Sequence, residues 1–218
     1  MTEHQTPNWS ALHSPEEMQR LSDVGHQIEG ALLATVALIA IGEATGVIKT
    51  KYIWPGFIVA AGLFLIGFLL LHHGLQQLRL VWNLILSDEQ QRQHLIMATL
   101  LTLAGISEIF FRAKGITFLN YIWPLVIAII GIMFLTHEQH GSSEAVEWAT
   151  KIHRYLGILL VVVAIFIFLQ IVFAKRIAWL AFVWPVLLMI ASIFLFIYKE
   201  PKGAYQKIKE DAVHEMNH

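Results

Sequence analysis

"YIWPGFIVAAGLFLIGFLLL", residues 52–71, runs for twenty positions without a charged side chain. A helix rises 1.5 Å per residue, so that length covers about 30 Å, the hydrocarbon thickness of a bilayer. Its opening tetrapeptide returns as "YIWP" at 121–124 and "FVWP" at 182–185, each time heading another apolar run. Six stretches in all approach spanning length: 28–48, 52–71, 94–111, 121–136, 155–174 and 177–198. Of the 218 residues, 56% are hydrophobic and 14% charged, against about 25% charged in an ordinary soluble domain. The sequence therefore predicts an all-α, polytopic membrane protein with six transmembrane helices in a lipid bilayer.

The three tetrapeptides imply a repeated unit. Proline at a first helical position loses no hydrogen bond, because that N–H has no partner inside the helix. Trp54, Trp123 and Trp184 beside it suit the headgroup interface, where an amphipathic ring is at home. Ahead of each odd-numbered helix stands a serine followed by acids: "SPEE" from Ser14, "SDEQ" from Ser87, "SSEA" from Ser142. The first two fit a capping box, in which serine and a Glu or Gln three residues on satisfy each other's backbone donors. His26, His94 and His153 then open the odd helices, and Gly30, Ala98 and Gly157 follow four residues later on the same face.

These signals predict three tandem antiparallel hairpin repeats packed as a six-helix bundle. The boundaries expected are a polar segment with a capped pre-helix at 1–27, repeat one with a surface helix at 28–86, repeat two at 87–141, repeat three at 142–198 and a polar tail at 199–218. Within 75–86, "LQQLRLVWNLIL" is too polar to span. Leu71, Leu75, Leu78, Trp82 and Ile85 share one helical face, which predicts an amphipathic helix lying at the membrane surface.

Several classes of function fall away. The net charge of −1 gives no electrostatic case for nucleic acid, and with no cysteine there is no disulfide, thiolate cluster or covalent c-type haem. "HEQH" at 137–140 lacks the zinc-protease spacing, no Gly-rich phosphate loop is present, and no catalytic activity of the chain's own is expected. The first 27 residues carry no cleavable-signal pattern, so the first span is expected to act as its own insertion signal.

Orientation follows from the short loops. They carry Lys49 and Lys51, Arg112 and Lys114, and Lys175 and Arg176, with no acid between the helices they join. The positive-inside rule places them in the cytoplasm. Both termini of this multi-pass chain are then expected outside the inner (cytoplasmic) membrane. His26, His72, His73, His94, His137, His140 and His153 gather at that outer face, with His4, His13, His214 and His218 on the tails. Histidine is an ordinary interfacial residue, so each one alone is unremarkable; together they predict a site.

In the second repeat, His94 and Met97 enter helix 3 while Met133, His137 and His140 leave helix 4. Imidazole with thioether is a donor set for copper, particularly Cu(I). The first repeat offers His26 with His72 and His73, plus Glu29 as a further ligand or an orienting carboxylate. The third keeps His153 only and reads as degenerate or structural. Haem b is the alternative cofactor, with His26–His72 and His94–His137 as axial pairs and Gly30 and Gly157 making room near His26 and His153. At the other end, Glu108 is expected to pair with Arg112 at i,i+4. Glu43 has no partner in its own helix and looks to Lys49 or Lys51. Gln170 holds the matching place in repeat three.

"YIWPGFIVAAGLFLIGFLLLHHG" and "YIWPLVIAIIGIMFLTHEQHG", about a fifth of the chain, loosely resemble segments of bacterial copper-resistance membrane proteins of the D type. That family generally has more spans, and no site residue transfers from it. The resemblance favours copper handling at the outer face, with a periplasmic metal or electron carrier as partner. The other readings are a b-haem electron-transfer subunit and a non-catalytic subunit packed against other membrane subunits.

Overall fold

A computed structural model describes residues 14–71, 75–137, 142–173, 176–202 and 204. Among these the chain is helical, and six helices are long and apolar enough to cross a membrane. The spanning helices are α1 (Pro15–Ala44), α2 (Ile53–Leu71), α4 (Glu89–Lys114), α5 (Ile122–Leu135), α6 (Ser143–Phe173) and α7 (Leu180–Ile197). The short α3 (Leu78–Ser87) precedes α4, and a 3-10 turn, Thr117–Tyr121, leads into α5. Outward faces carry Leu38, Leu63, Leu125, Ile132, Ile158 and Ile193, each more than half exposed. Exposed apolar surface on six helices of spanning length suits a lipid solvent, and the chain reads as a multi-pass membrane protein.

The helix starts follow from local chemistry. Ser14 and Glu17 form the expected capping box: Glu17 N–H donates to Ser14 Oγ at 3.2 Å and Ser14 N–H to Glu17 Oε2 at 3.0 Å. That cap sets α1 going well before residue 28, so the expected boundary there lies inside a continuous helix. For α4 the cap is Asp88, not Ser87. Gln91 N–H donates to Asp88 Oδ1 at 3.1 Å, while Ser87 Oγ–H donates back to Leu84 O at 3.0 Å and closes α3. A carboxylate at the N-cap also meets the positive end of the helix dipole. Gly115 ends α4 with φ +71°, the left-handed conformation glycine adopts without strain.

The tightest packing does not follow the hairpins. The most extensive contacts are α2 with α4, α5 with α6, and α7 with α1. Each even helix of the repeat thus leans on the odd helix of the next unit, and the last returns to the first. Small residues make this possible. A Cβ on Gly30 would stand 2.7 Å from Phe196 N, one on Gly62 2.7 Å from Ala98 O, and one on Gly157 2.6 Å from Gly131 O. Gly62, Gly131 and Ser192 each lie eight residues past the tetrapeptide tryptophan, opposite the small residue that follows each histidine.

Two expectations are corrected and a third is extended. The tryptophans are not at the headgroups: Trp54, Trp123 and Trp184 meet one another at 5.5 to 6.5 Å, each no more than 5% exposed. Their place near the start of α2, α5 and the converging α7 turns the rings onto the bundle axis, and position outweighs residue preference. Pro185 lies inside α7, which begins five residues earlier, so one intrahelical bond is lost there. In α3 the buried face is Val81, Leu84 and Ile85, packed with Leu65, Leu69 and Leu95. Leu78 and Trp82, on the face expected to meet the membrane surface, are exposed, as is Leu71. The helix thus has a second apolar side, which the bundle takes.

Candidate functional site at the histidine end of the bundle

His26, His94 and His153 lie on α1, α4 and α6, and the backbone of each helix holds its ring. His26 Nδ1–H donates to Ser22 O at 2.9 Å, His94 Nδ1–H to Gln90 O at 2.8 Å and His153 Nδ1–H to Ala149 O at 2.7 Å. A carbonyl can only accept, so Nδ1 carries the proton and Nε2 is the acceptor in each neutral ring. His137, just past α5, turns its Nδ1 to the Gln93 side-chain oxygen.

The sequence assigns these four histidines to three hairpins; the fold brings them to one place. Ring centroids are 4.7 Å apart for His94 and His137, 5.0 Å for His137 and His153, 6.4 Å for His153 and His26, and 6.5 Å for His26 and His94. The contacts close into a circuit, so the expectation of one site per hairpin gives way to one shared cluster. His94 and His137 touch edge to face, which leaves no slot between them for a porphyrin. Among the described residues, no three His, Asp or Glu side chains stand arranged to hold a metal ion as they are. His72, His73 and His140, and so the His26–His72 pair, lie outside the described residues.

Tyr198 completes the cluster. Its ring lies 4.8 Å from that of His26 and 5.8 Å from that of His153. The signal for it was in the sequence: Phe68, His137 and Tyr198 each stand fourteen residues past the repeated tryptophan. The third repeat therefore has a phenol where the second has an imidazole. Just beyond, Glu200 ties this end to α1. It accepts from Ser22 Oγ at 2.8 Å and Tyr198 Oη at 3.0 Å, its N–H donates to Asp23 Oδ1 at 2.7 Å, and its carbonyl accepts from Gln19 Nε2 at 2.9 Å. Burial pushes the Glu200 carboxyl above its ordinary value, with Asp23 adding to the rise and the two hydroxyls opposing it.

Beside the imidazoles of His26 and His94 lies a cavity of about 180 Å³ within the bundle, lined by these two, by Met97 and otherwise mostly by aliphatic side chains. Glu29 and Gln90 also line it. They are 8% and 6% exposed, and Glu29 Oε2 and Gln90 Oε1 have no hydrogen-bond partner among the described residues. Met133 instead packs against the hydrophobic core and does not line the cavity.

The opposite end carries the other expected charges. Arg112 bridges two acids, with Nε donating to Glu108 at 2.7 Å and an Nη to Glu43 at 2.6 Å. The Glu108 pair is the expected one; Glu43 finds Arg112 rather than Lys49 or Lys51. The same guanidinium lies 4.6 Å over the Trp54 ring. An acid so engaged is a structural anchor rather than the start of an ion path. No protein-family model, curated protein or solved structure matches this chain.

Proposed function

We propose that the protein binds a soft transition-metal ion, copper before zinc, at the outer end of the bundle through His26, His94, His137 and His153. The observation that carries this reading is the shared presentation of His26, His94 and His153. Each comes from a different repeat, and each has Nδ1 fixed to its own helix, so the same nitrogen, Nε2, is left with the lone pair. Fixing one ring nitrogen by hydrogen bond is how proteins set a ligand's tautomer and direction. Bonds of about 2 Å from metal to nitrogen require the rings to draw closer than they stand, a side-chain adjustment within a cluster already in contact. Met97, one turn below His94 and lining the same cavity, supplies the thioether that favours Cu(I). The basic loops argue that this end faces out of the cytoplasm, where a periplasmic carrier would exchange the ion.

The test is a titration of metal-stripped, detergent-solubilised protein with Cu(I) against a competing chelator. One tight equivalent is expected, weakened by roughly tenfold or more in His94→Ala and His153→Ala, with Zn(II) binding less tightly. Failure to bind copper in stoichiometric amount, or binding indifferent to both substitutions, overturns the reading. Orientation is checked with Thr50→Cys in this cysteine-free chain, which should stay unlabelled by an impermeant maleimide in intact cells.

A further inference from the structure

The cavity beside His26 and His94 makes a demand of its own. Its wall is mostly aliphatic, with a few polar groups that are rich in acceptors. Glu29 Oε2 and Gln90 Oε1 are buried there with no hydrogen-bond partner among the described residues. The Nε2 atoms of His26 and His94, two more of the lining side chains, are acceptors as well, because Nδ1 holds the ring proton in each. A buried acceptor without a donor costs about 1–3 kcal/mol, and a chain that keeps two beside one cavity keeps them for something that donates. The complement is an apolar body carrying two donors.

Size narrows the class. A cavity of about 180 Å³ is close to the roughly 150 Å³ that takes up one benzene ring in an engineered protein core. It suits a single substituted ring and not a fused system. Phe68 and Phe134 stand in the wall and offer aromatic faces. The membrane location selects a ligand that partitions into lipid. A fatty acid brings one donor only, and an ammonium head brings a charge that an aliphatic wall does not repay.

We propose that this cavity binds one molecule of a neutral, lipid-soluble dihydroxybenzene of the hydroquinone type. Its hydroxyls donate to Glu29 and Gln90 and its ring lies beside His26 and His94 among the aliphatic and phenylalanine side chains of the lining. The proposal concerns binding alone, and because His26, His94 and Met97 line this cavity and also serve the copper reading, it is tested on metal-stripped protein.

The experiment uses metal-stripped, full-length protein in detergent, kept anaerobic, with tetramethylhydroquinone as probe. Calorimetric titration should give one saturable site per chain. The dimethyl ether of the same ring, which keeps the shape and lacks both donors, should bind roughly tenfold or more weakly. Gln90→Leu and Glu29→Leu should each weaken the hydroquinone and leave the ether unchanged, and Leu160→Trp should block both by filling the space. Equal binding of hydroquinone and ether means partition into micelle or cavity without recognition and overturns the proposal. So does absence of saturable binding, which would leave the two acceptors to water. The ether comparison needs no variant, so a substitution that fails to fold does not protect the idea. A Cu(I) titration of Gln90→Leu, expected to match wild type, separates failure here from failure of the metal reading.

Discussion

The two ends of the bundle surround their buried polar groups differently, one with ion pairs and the other with a cavity. At the tryptophan end, one guanidinium answers two carboxylates and lies on an aromatic face, so charge introduced into the membrane is returned as structure. At the histidine end, two imidazoles, a glutamate and a glutamine line a cavity, and Glu29 Oε2 and Gln90 Oε1 have no donor among the described residues. The same helices, α1 and α4, run through both ends, so the contrast is not a matter of local fold quality. At the tryptophan end the buried polar atoms left without a partner among the described residues, Glu108 Oε2 and Trp123 Nε1, belong to side chains held by an ion pair or by ring packing, whereas Glu29 and Gln90 line a cavity.

Breaking the ion-paired end should cost most. Arg112→Ala strands Glu108, which is 4% exposed, and Glu43, and is expected to destabilise by about 3–5 kcal/mol, read as a fall in melting temperature of the detergent-solubilised protein. Removing its ring platform is milder: Trp54→Phe keeps aromatic contact with Trp123 and Trp184 and should cost about 1–2 kcal/mol by the same measurement, from lost ring area and a weaker cation contact.

The histidine end should respond with the opposite sign. Glu29→Leu removes an acceptor that no described residue satisfies and should raise stability by about 1–2 kcal/mol. A loss of that size would instead mean that the acid is structurally engaged and that the contrast between the ends is false.

The smallest effect concerns the Glu200 tie. Its carboxyl is raised above 4.5, first by burial and then by Asp23, against the hydroxyls of Ser22 and Tyr198. A raised acid favours the folded state when protonated. Its contribution is therefore fully present below pH 4.5 and fades as pH rises through the elevated value. Melting followed against pH should show this slope in the wild type, and Glu200→Gln should flatten it, a difference of under about 1 kcal/mol.

How much of this was legible follows from what repeats in a linear chain. Spans, caps and the histidine–small-residue spacing were readable because each is set by residues within a turn or two of one another. Ser14 and Glu17 announce their box, and Glu108 and Arg112 their pair. What could not be read was set by which helix leans on which. The tryptophans' burial, the partner of Glu43 and the gathering of His26, His94, His137 and His153 all depend on α2 choosing α4 over its own hairpin mate. The side that α3 turns to the bundle was missed because Val81 and Leu84 look no more apolar than Leu78 and Trp82, and only the groove beneath decides between them. Tyr198 was hidden by its chemistry and visible by its offset.

Because α7 docks against α1, the circle of helices is shut by the first and last of the described spans. A side chain at Gly30 would push against the backbone of Phe196, two residues before the Tyr198 ring that meets His26. The enclosure of the histidine end thus hangs on a seam between spans distant in the chain, and a methyl group at one glycine is enough to pry it open.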